Sequence, residues 1–568
     1  MATDERDAAR NGTPDPDWGL GATADPVAFG AALAGLGKRL AREPALVAGA
    51  ALRFASGLAE IGGVVAARAL GASTAGPAST DEPDARFADP AWETNPGFYG
   101  LRQCYLLWAR TMKELAAAAN DEELGGKAEF AVGQMVDALA PTNFLVGNPA
   151  ALKRAFETGG ASVTRGVARF VDDVVSNGGW PRQVDTSKLV LGEDLAATTG
   201  KVVFRNRLME LIQFAPRTET VFETPLLLSP PWINKYYVMD LAPGKSFAEW
   251  AIDQGHTVFC ISYRNPDESF REIGFEDYLR EGPLQALDVI GEITGEKQAN
   301  IVALCLGGTL TAVLLGHLAS TKAGRARIRS ATLLNALVDF SEPGPLGHFV
   351  DAATVERLER RMAKRGYLGA DEIAGTFNLL RANDLVWRYV SAGWLMGEDP
   401  PAFDILQWNA DSTRMPARMH SEYLRWMYVE NRLAEGTLKI GGRTVSLANA
   451  TSDLYVLSAR EDHITPWRGC YRTTQLAGGP VRFVLTSSGH IAGIVNPPGP
   501  KRKHWRGDEL PADPDDWFER ATQVEGSWWE DWARWANERA GEQREPPALG
   551  TETHPPLEDA PGSYVRES

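Results

Sequence analysis

The sequence predicts an α/β chain: a mainly parallel sheet with helices on both faces, a helical cap inserted after a central strand, and an α-helical domain ahead of it. Three observations carry this expectation. From about residue 198 onward, short apolar runs rich in β-branched residues alternate with helical segments, as strands buried on both faces do. Between about 340 and 445 those runs vanish, and a helical pattern with many aromatics replaces them. From Asn95 to about 185, apolar residues recur at helical spacing: Leu101, Tyr105, Leu106 and Trp108, then Met135, Val136 and Leu139. At 568 residues the chain exceeds one core of usual size, so two folded units with tails are expected.

In chain order, residues 1–80 read as a polar tail followed by an Ala- and Gly-rich helical stretch with Leu33, Leu36, Leu40 and Leu46 at helical spacing. A helical pair docked on its own domain is preferred there over an amphipathic helix resting on a hydrophobic surface. Residues 81–197 form the helical domain. The catalytic domain is expected over 198–540, with strands at Val202–Phe204, Pro225–Leu228, Thr257–Ile261, Ile301–Leu304, Ala331–Leu334, Leu454–Leu457 and Val481–Leu485. An insertion after a central strand covers a site at the strands' carboxyl ends, which defines the cap at 340–445. Residues 541–568, rich in Pro, Gly and acidic groups, read as a C-terminal tail.

A formal net charge of -16, from 58 basic and 74 acidic side chains, argues against nucleic acid as the main partner. The four cysteines are widely spaced and form no C-x-x-C pair, which suits a reducing cytoplasm rather than zinc or disulfides. The first residues show no signal pattern, and no apolar run is expected to span a membrane.

The chemistry centres on Ile301-Val302-Ala303-Leu304-Cys305-Leu306-Gly307-Gly308-Thr309. Apolar residues enter a turn, glycines leave it, and an apolar helical run follows: a nucleophile elbow with a thiol in place of the hydroxyl and Ala303 in place of the first glycine. A thiol there favours acyl transfer, because one thioester exchanges for another at little cost. The nucleophile needs a base and the base an orienting acid. His490 follows a strand through Thr486-Ser487-Ser488-Gly489, and Asp462 follows another through Ser458-Ala459-Arg460-Glu461. Taken singly, Cys305 reads as core packing, Asp462 as a turn former and His490 as a surface histidine, with His463 competing as base. Chain order, loop positions and elbow glycines together select Cys305, Asp462 and His490, in the order of an α/β-hydrolase triad. The oxyanion hole is expected from the amide of Leu306 with that of Ile233 or Asn234, in the loop Ser229–Lys235. Ala242-Pro243-Gly244-Lys245-Ser246 mimics the end of a phosphate-binding loop, but Met239 stands where the first glycine is required, so Ser246 reads as a helix cap.

Several segments together resemble the poly(3-hydroxyalkanoate) synthases, class I most of all. They are Ala303–Gly308, Pro230-Pro231-Trp232-Ile233-Asn234-Lys235-Tyr236-Tyr237, Gln254–Val258, Ser262–Pro266, Asn383–Trp387, Arg460–Trp467, Ser488–Gly493 and Gly526-Ser527-Trp528-Trp529. The likeness runs from about Phe87 to Trp535, and Ala560–Val565 resembles the family's ending. Ala303 departs from the family's glycine. The resemblance implies polymerisation of (R)-3-hydroxyacyl-CoA into a storage polyester, with coenzyme A as leaving group and no metal or redox cofactor. It implies that Cys305 carries the growing chain and His490 activates it, with Asp462 orienting His490 or activating the attacking 3-hydroxyl. It further implies a cytoplasmic enzyme at polyester granules, a homodimer with no membrane span. A cysteine-dependent thioesterase or small acyltransferase is the alternative, and an inactive scaffold is disfavoured because all three catalytic side chains are present.

Overall fold

The computed structural model describes residues 26–79, 83–119 and 126–568, so the expectation of a tail over residues 1–25 lies outside the described residues. The chain divides into two compact units, one of residues 1–183 with 375–401 and one of 184–374 with 402–568.

The first unit is helical: α1 Pro26–Arg42, α2 Pro44–Ala69, α3 Pro96–Ala118, α4 Lys127–Ala138, α5 Pro149–Glu157 and α6 Ala161–Ser176. Local chemistry sets the starts of two of these. Asn95 accepts the Gly97 and Phe98 amides ahead of α3, and Asn148 accepts the Ala151 amide of α5, each followed by a proline at the first helical position. Trp92, Tyr105, Val132 and Val136 form its main core, and Ile61 of α2 packs with Leu107 of α3 in a second cluster. The Ala/Gly-rich stretch is therefore part of this unit. At 26 residues α2 is long and apolar enough to cross a membrane by length and composition alone, against the expectation that no run is. Its small residues made the run look weak. Residues 375–401 join this unit rather than forming one cap with the rest of 340–445. Val386, Val390 and Trp394 pack around Trp180, and Trp394 Nε1 donates to Asp173 at 2.8 Å.

The second unit is built on eleven strands: β1 Gly200–Arg205, β2 Met209–Phe214, β3 Leu226–Ser229, β4 Val258–Tyr263, β5 Ala299–Leu304, β6 Ile328–Leu334, β7 Asp453–Ala459, β8 Val481–Thr486, β9 Lys503–Arg506, β10 Thr522–Glu525 and β11 Glu558–Asp559. Their order is β10-β9-β8-β7-β6-β5-β3-β4-β2-β1-β11. The block from β8 to β4 is parallel and the flanking strands are antiparallel. Every residue of β2, β3, β4 and β5 is buried, which is why the parallel strands read as unbroken apolar runs. Helix α7, Leu306–Leu318, follows β5 and is apolar all round because nearly all of it is buried. Helix α8, Trp528–Asn537, opens with a Ser527–Glu530 capping box and buries Trp528, Trp529, Trp532 and Trp535. Ser246 accepts the Glu249 amide at 2.9 Å, so the phosphate-loop mimic is a helix cap.

Residues 541–568 are not a tail. Strand β11 pairs with β1, the Ala548 carbonyl accepts from Gln213 at 3.0 Å, and Val565 is 2% exposed in the core. Their acidic side chains, which gave them the composition of a tail, are used as partners: Glu558 pairs with Arg205 and Glu567 with Arg264. The insertion's remaining residues, 340–374 and 402–445, stay with the sheet unit, which also takes in residues 184–197.

Candidate active site

Cys305 lies between β5 and α7 with φ 53° and ψ -119°, a backbone region that side chains other than glycine rarely enter. The turn is held from several directions. The Cys305 amide donates to Leu334 O at 2.9 Å, and its carbonyl accepts from the Gly308 and Thr309 amides at 2.9 and 3.1 Å. At Gly307 a Cβ would lie 2.2 Å from Ser229 O and 2.8 Å from Pro230 O. Glycine is needed there so that the loop after β3 can lie against the elbow. Ala303 is buried in β5 opposite Ser229 of β3 and Leu333 of β6. Its φ is not positive, so a methyl group is accommodated where the elbow pattern usually has glycine.

The structure brings the three expected side chains together. Asp462 Oδ2 lies 2.6 Å from His490 Nδ1, and Cys305 is near enough to His490 to act on its charge. His463, the competing base, is not the imidazole in this array. Asp462 Oδ1 accepts the amides of Ile464 and Thr465 at 2.8 and 3.0 Å, an Asx turn that leaves Oδ2 aimed at the imidazole. The Asp462 side chain is wholly buried and that of His490 is 8% exposed. Burial works against charge on His490, but Asp462 and Cys305 outweigh it and hold the imidazolium well above its ordinary range. Burial likewise opposes charge on Asp462, and the His490 imidazolium with the Thr465 hydrogen bonds carries its carboxyl below the usual range. Both shifts favour the charged Asp462–His490 pair that exists once His490 has taken the Cys305 proton.

A model for the N-terminus of poly-beta-hydroxybutyrate polymerase matches residues 83–251, and one for the alpha/beta hydrolase fold matches residues 218–497. The chain is 46% identical to a poly(3-hydroxyalkanoate) polymerase of Methylorubrum extorquens, over 85% of this chain and 80% of that one. It is 44% identical to the polymerase subunit PhaC of Rhizobium meliloti (88% and 82% covered), and 41% identical to that of Cupriavidus necator (85% and 83% covered). The chain belongs to the poly(3-hydroxyalkanoate) polymerase family.

Residues that carry the family likeness meet around the site, along with others that sequence reasoning did not single out. Thr465 Oγ1 donates to Asp462 Oδ2 at 2.7 Å and lies 3.3 Å from His490 Nδ1, so a hydroxyl supports the pair. Asn335, at the end of β6, has φ 44° and is fully buried. Its Nδ2 donates to His490 O at 2.6 Å and its Oδ1 accepts the Ala459 amide at 2.9 Å, tying the acid and base loops to one strand end. Ser488 O accepts the Glu461 amide at 3.0 Å and joins the two loops directly. Trp528 and Trp529 donate to Gly493 O and Ile494 O, both at 2.9 Å, and so fix the turn after His490. Tyr423, Tyr428 and Phe340 form an aromatic group near the thiol. Burial first of all, with the nearby Cys305 adding, pushes both phenols above their ordinary range. Thr465, Ser488, Trp528 and Trp529 lie in segments that carry the family likeness, whereas Asn335, Phe340, Tyr423 and Tyr428 do not.

Proposed function

We propose that this polymerase family member joins (R)-3-hydroxyacyl-CoA units into polyhydroxyalkanoate, poly(3-hydroxybutyrate) in particular, with release of CoA through an acyl thioester on Cys305. The Cys305–His490–Asp462 array carries this reading. His490 takes the Cys305 proton, and the thiolate attacks the substrate thioester carbonyl. The amides of Leu306 and of Ile233 or Asn234 receive the negative charge that forms on oxygen. Collapse breaks the bond to the CoA sulfur, which leaves with the proton held by His490. His490 then takes the proton of a 3-hydroxyl as that oxygen attacks the acyl-cysteine. An ester bond forms, and the cysteine sulfur is released.

Asp462 is proposed to orient His490 rather than act on the hydroxyl. Support comes from its two oxygens, one held by backbone amides and the other by His490 Nδ1 and Thr465. Tyr423, Tyr428 and Phe340 are proposed to exclude water from the acyl-cysteine, which separates a polymerase from a thioesterase. The scheme draws on the side chains and backbone amides of this chain and asks for no metal or redox cofactor. Association with the polyester granule in the cytoplasm is proposed as well. It is supported by large apolar residues left outside the core of the helical unit, Phe156 at 84% and Val146 at 80% exposure among them.

Incubation with (R)-3-hydroxybutyryl-CoA tests the reading. Released CoA should be matched by insoluble polymer, and Cys305→Ala should yield neither. Free 3-hydroxybutyrate in place of polymer would make the chain a thioesterase.

A further inference from the structure

The loop Pro230–Lys235 is fastened at both ends. At the near end Ser229 and Pro230 lie against Gly307 of the elbow, closer than any side chain there would allow. At the far end Lys235 is 2% exposed, and its Nζ donates to the backbone carbonyl of Glu567. Between them, Trp408 Nε1 donates to Lys235 O and Thr413 Oγ1 to Trp232 O, each at 2.8 Å. The segment that receives Lys235 is itself anchored. The Glu567 carboxylate accepts from Arg264 at 3.1 Å, just beyond β4. The Tyr564 hydroxyl donates to Asn206 O at 2.7 Å, and its amide donates to the buried Glu210 at 3.0 Å.

From this arrangement we infer that Lys235 and residues 563–567 are positioning residues for acyl transfer, holding loop 230–235 against the elbow where its amides meet the oxyanion formed at Cys305. The inference rests on the oxyanion hole proposed above. An apolar side chain would fill the buried space without the desolvation that an ammonium suffers. What the ammonium adds is direction, because it is satisfied only where acceptor oxygens stand. Burial pulls the Lys235 ammonium toward neutrality, while Asp411 and Glu567 oppose that pull. Such direction matters here, since oxyanion donors act only within hydrogen-bond distance of the place where the charge appears. A displaced loop would still allow substrate to bind, and the loss would fall on the transition state.

Lys235→Met in the full chain tests this. The kcat of CoA release should fall about 10²-fold, the loss typical of one misplaced oxyanion donor, with KM changed less than about threefold. Alkylation of Cys305 by iodoacetamide is the companion measurement. The thiolate displaces iodide and forms a thioether, and no oxyanion arises. Lys235→Met should therefore alkylate at the wild-type rate with the wild-type pH profile, whereas His490→Gln should lose both reactions. An unchanged kcat, or alkylation that falls in step with kcat, would overturn the inference. If Lys235→Met does not fold, Arg264→Met decides the same question at a partly exposed position, with an expected loss of about tenfold under the same two criteria. Polymer formed by Cys305→Ala would instead refute the proposed function, an outcome that these variants do not produce.

Discussion

Asp462 divides its carboxylate between its own turn and the imidazole, and the chemistry of the site depends on that division. In Asp462→Asn the amide keeps the size and loses the charge, so burial of His490 is opposed by Cys305 alone. Its imidazole should titrate at lower pH than in the wild type, which NMR of the ring nitrogens can follow, and CoA release should fall by about 10² to 10⁴. Ala303→Gly should behave oppositely: activity within about twofold and stability lower by roughly 0.5–1 kcal/mol in denaturant unfolding, since the backbone there needs no glycine and a strand interior disfavours one. Cys305, Asp462 and His490 were legible because each stands just beyond a strand whose apolar run marks it. Asn335 stands in the same kind of place, yet an asparagine after a strand reads as a turn former. What distinguishes it is a pair of hydrogen bonds to residues more than a hundred positions away, and no local pattern reports those.

At the scale of elements, the strand-to-helix turn and the loop beside it stand or fall together. Gly307→Ala would drive a methyl group into the Ser229 and Pro230 carbonyls. About 1–3 kcal/mol of stability should be lost, read in denaturant unfolding, together with most of the activity as the loop moves off the elbow. The seven expected strands all exist, and six of them lie in the parallel block, where burial on both faces excludes most polar residues. Strand β2 escaped for the opposite reason. It is entirely buried but contains Glu210 and Gln213, which interrupt the apolar run. Glu210 is satisfied by Arg205 and by the Ser563 hydroxyl and Tyr564 amide, and Gln213 by Ala548 and Gly550. Of the four strands not expected, β2 and β11 thus belong together, since β2 and the supposed tail supply the partners that make each other stable. Strands β9 and β10 are the polar antiparallel edge.

For the whole molecule, the buried acid–base pair links folding to pH, and the direction follows from the shifts. His490 is held above its unfolded value of about 6.5, so its contribution is complete below that pH and disappears as pH rises through the raised folded value. Asp462 is held below its unfolded value of about 3.9, so its contribution is present above that pH and disappears as pH falls through the depressed one. The stability gap between wild type and His490→Gln, from denaturant midpoints, should be widest between about pH 4 and 6.5 and close on the alkaline side.

Lys235 and Glu567 are 332 residues apart in the chain. At about 5–20 residues per second of synthesis, that separation corresponds to roughly 20–70 s on the ribosome. For most of that interval, from the synthesis of Cys305 onward, the nucleophile exists while the far anchor of its neighbouring loop has not been made. A stalled nascent chain ending before Glu558 should accordingly release almost no CoA, and a full-length product of the same synthesis should. On the positioning role inferred for Lys235, full acyl transfer thus waits for residues 563–567, among the last of the chain to be made.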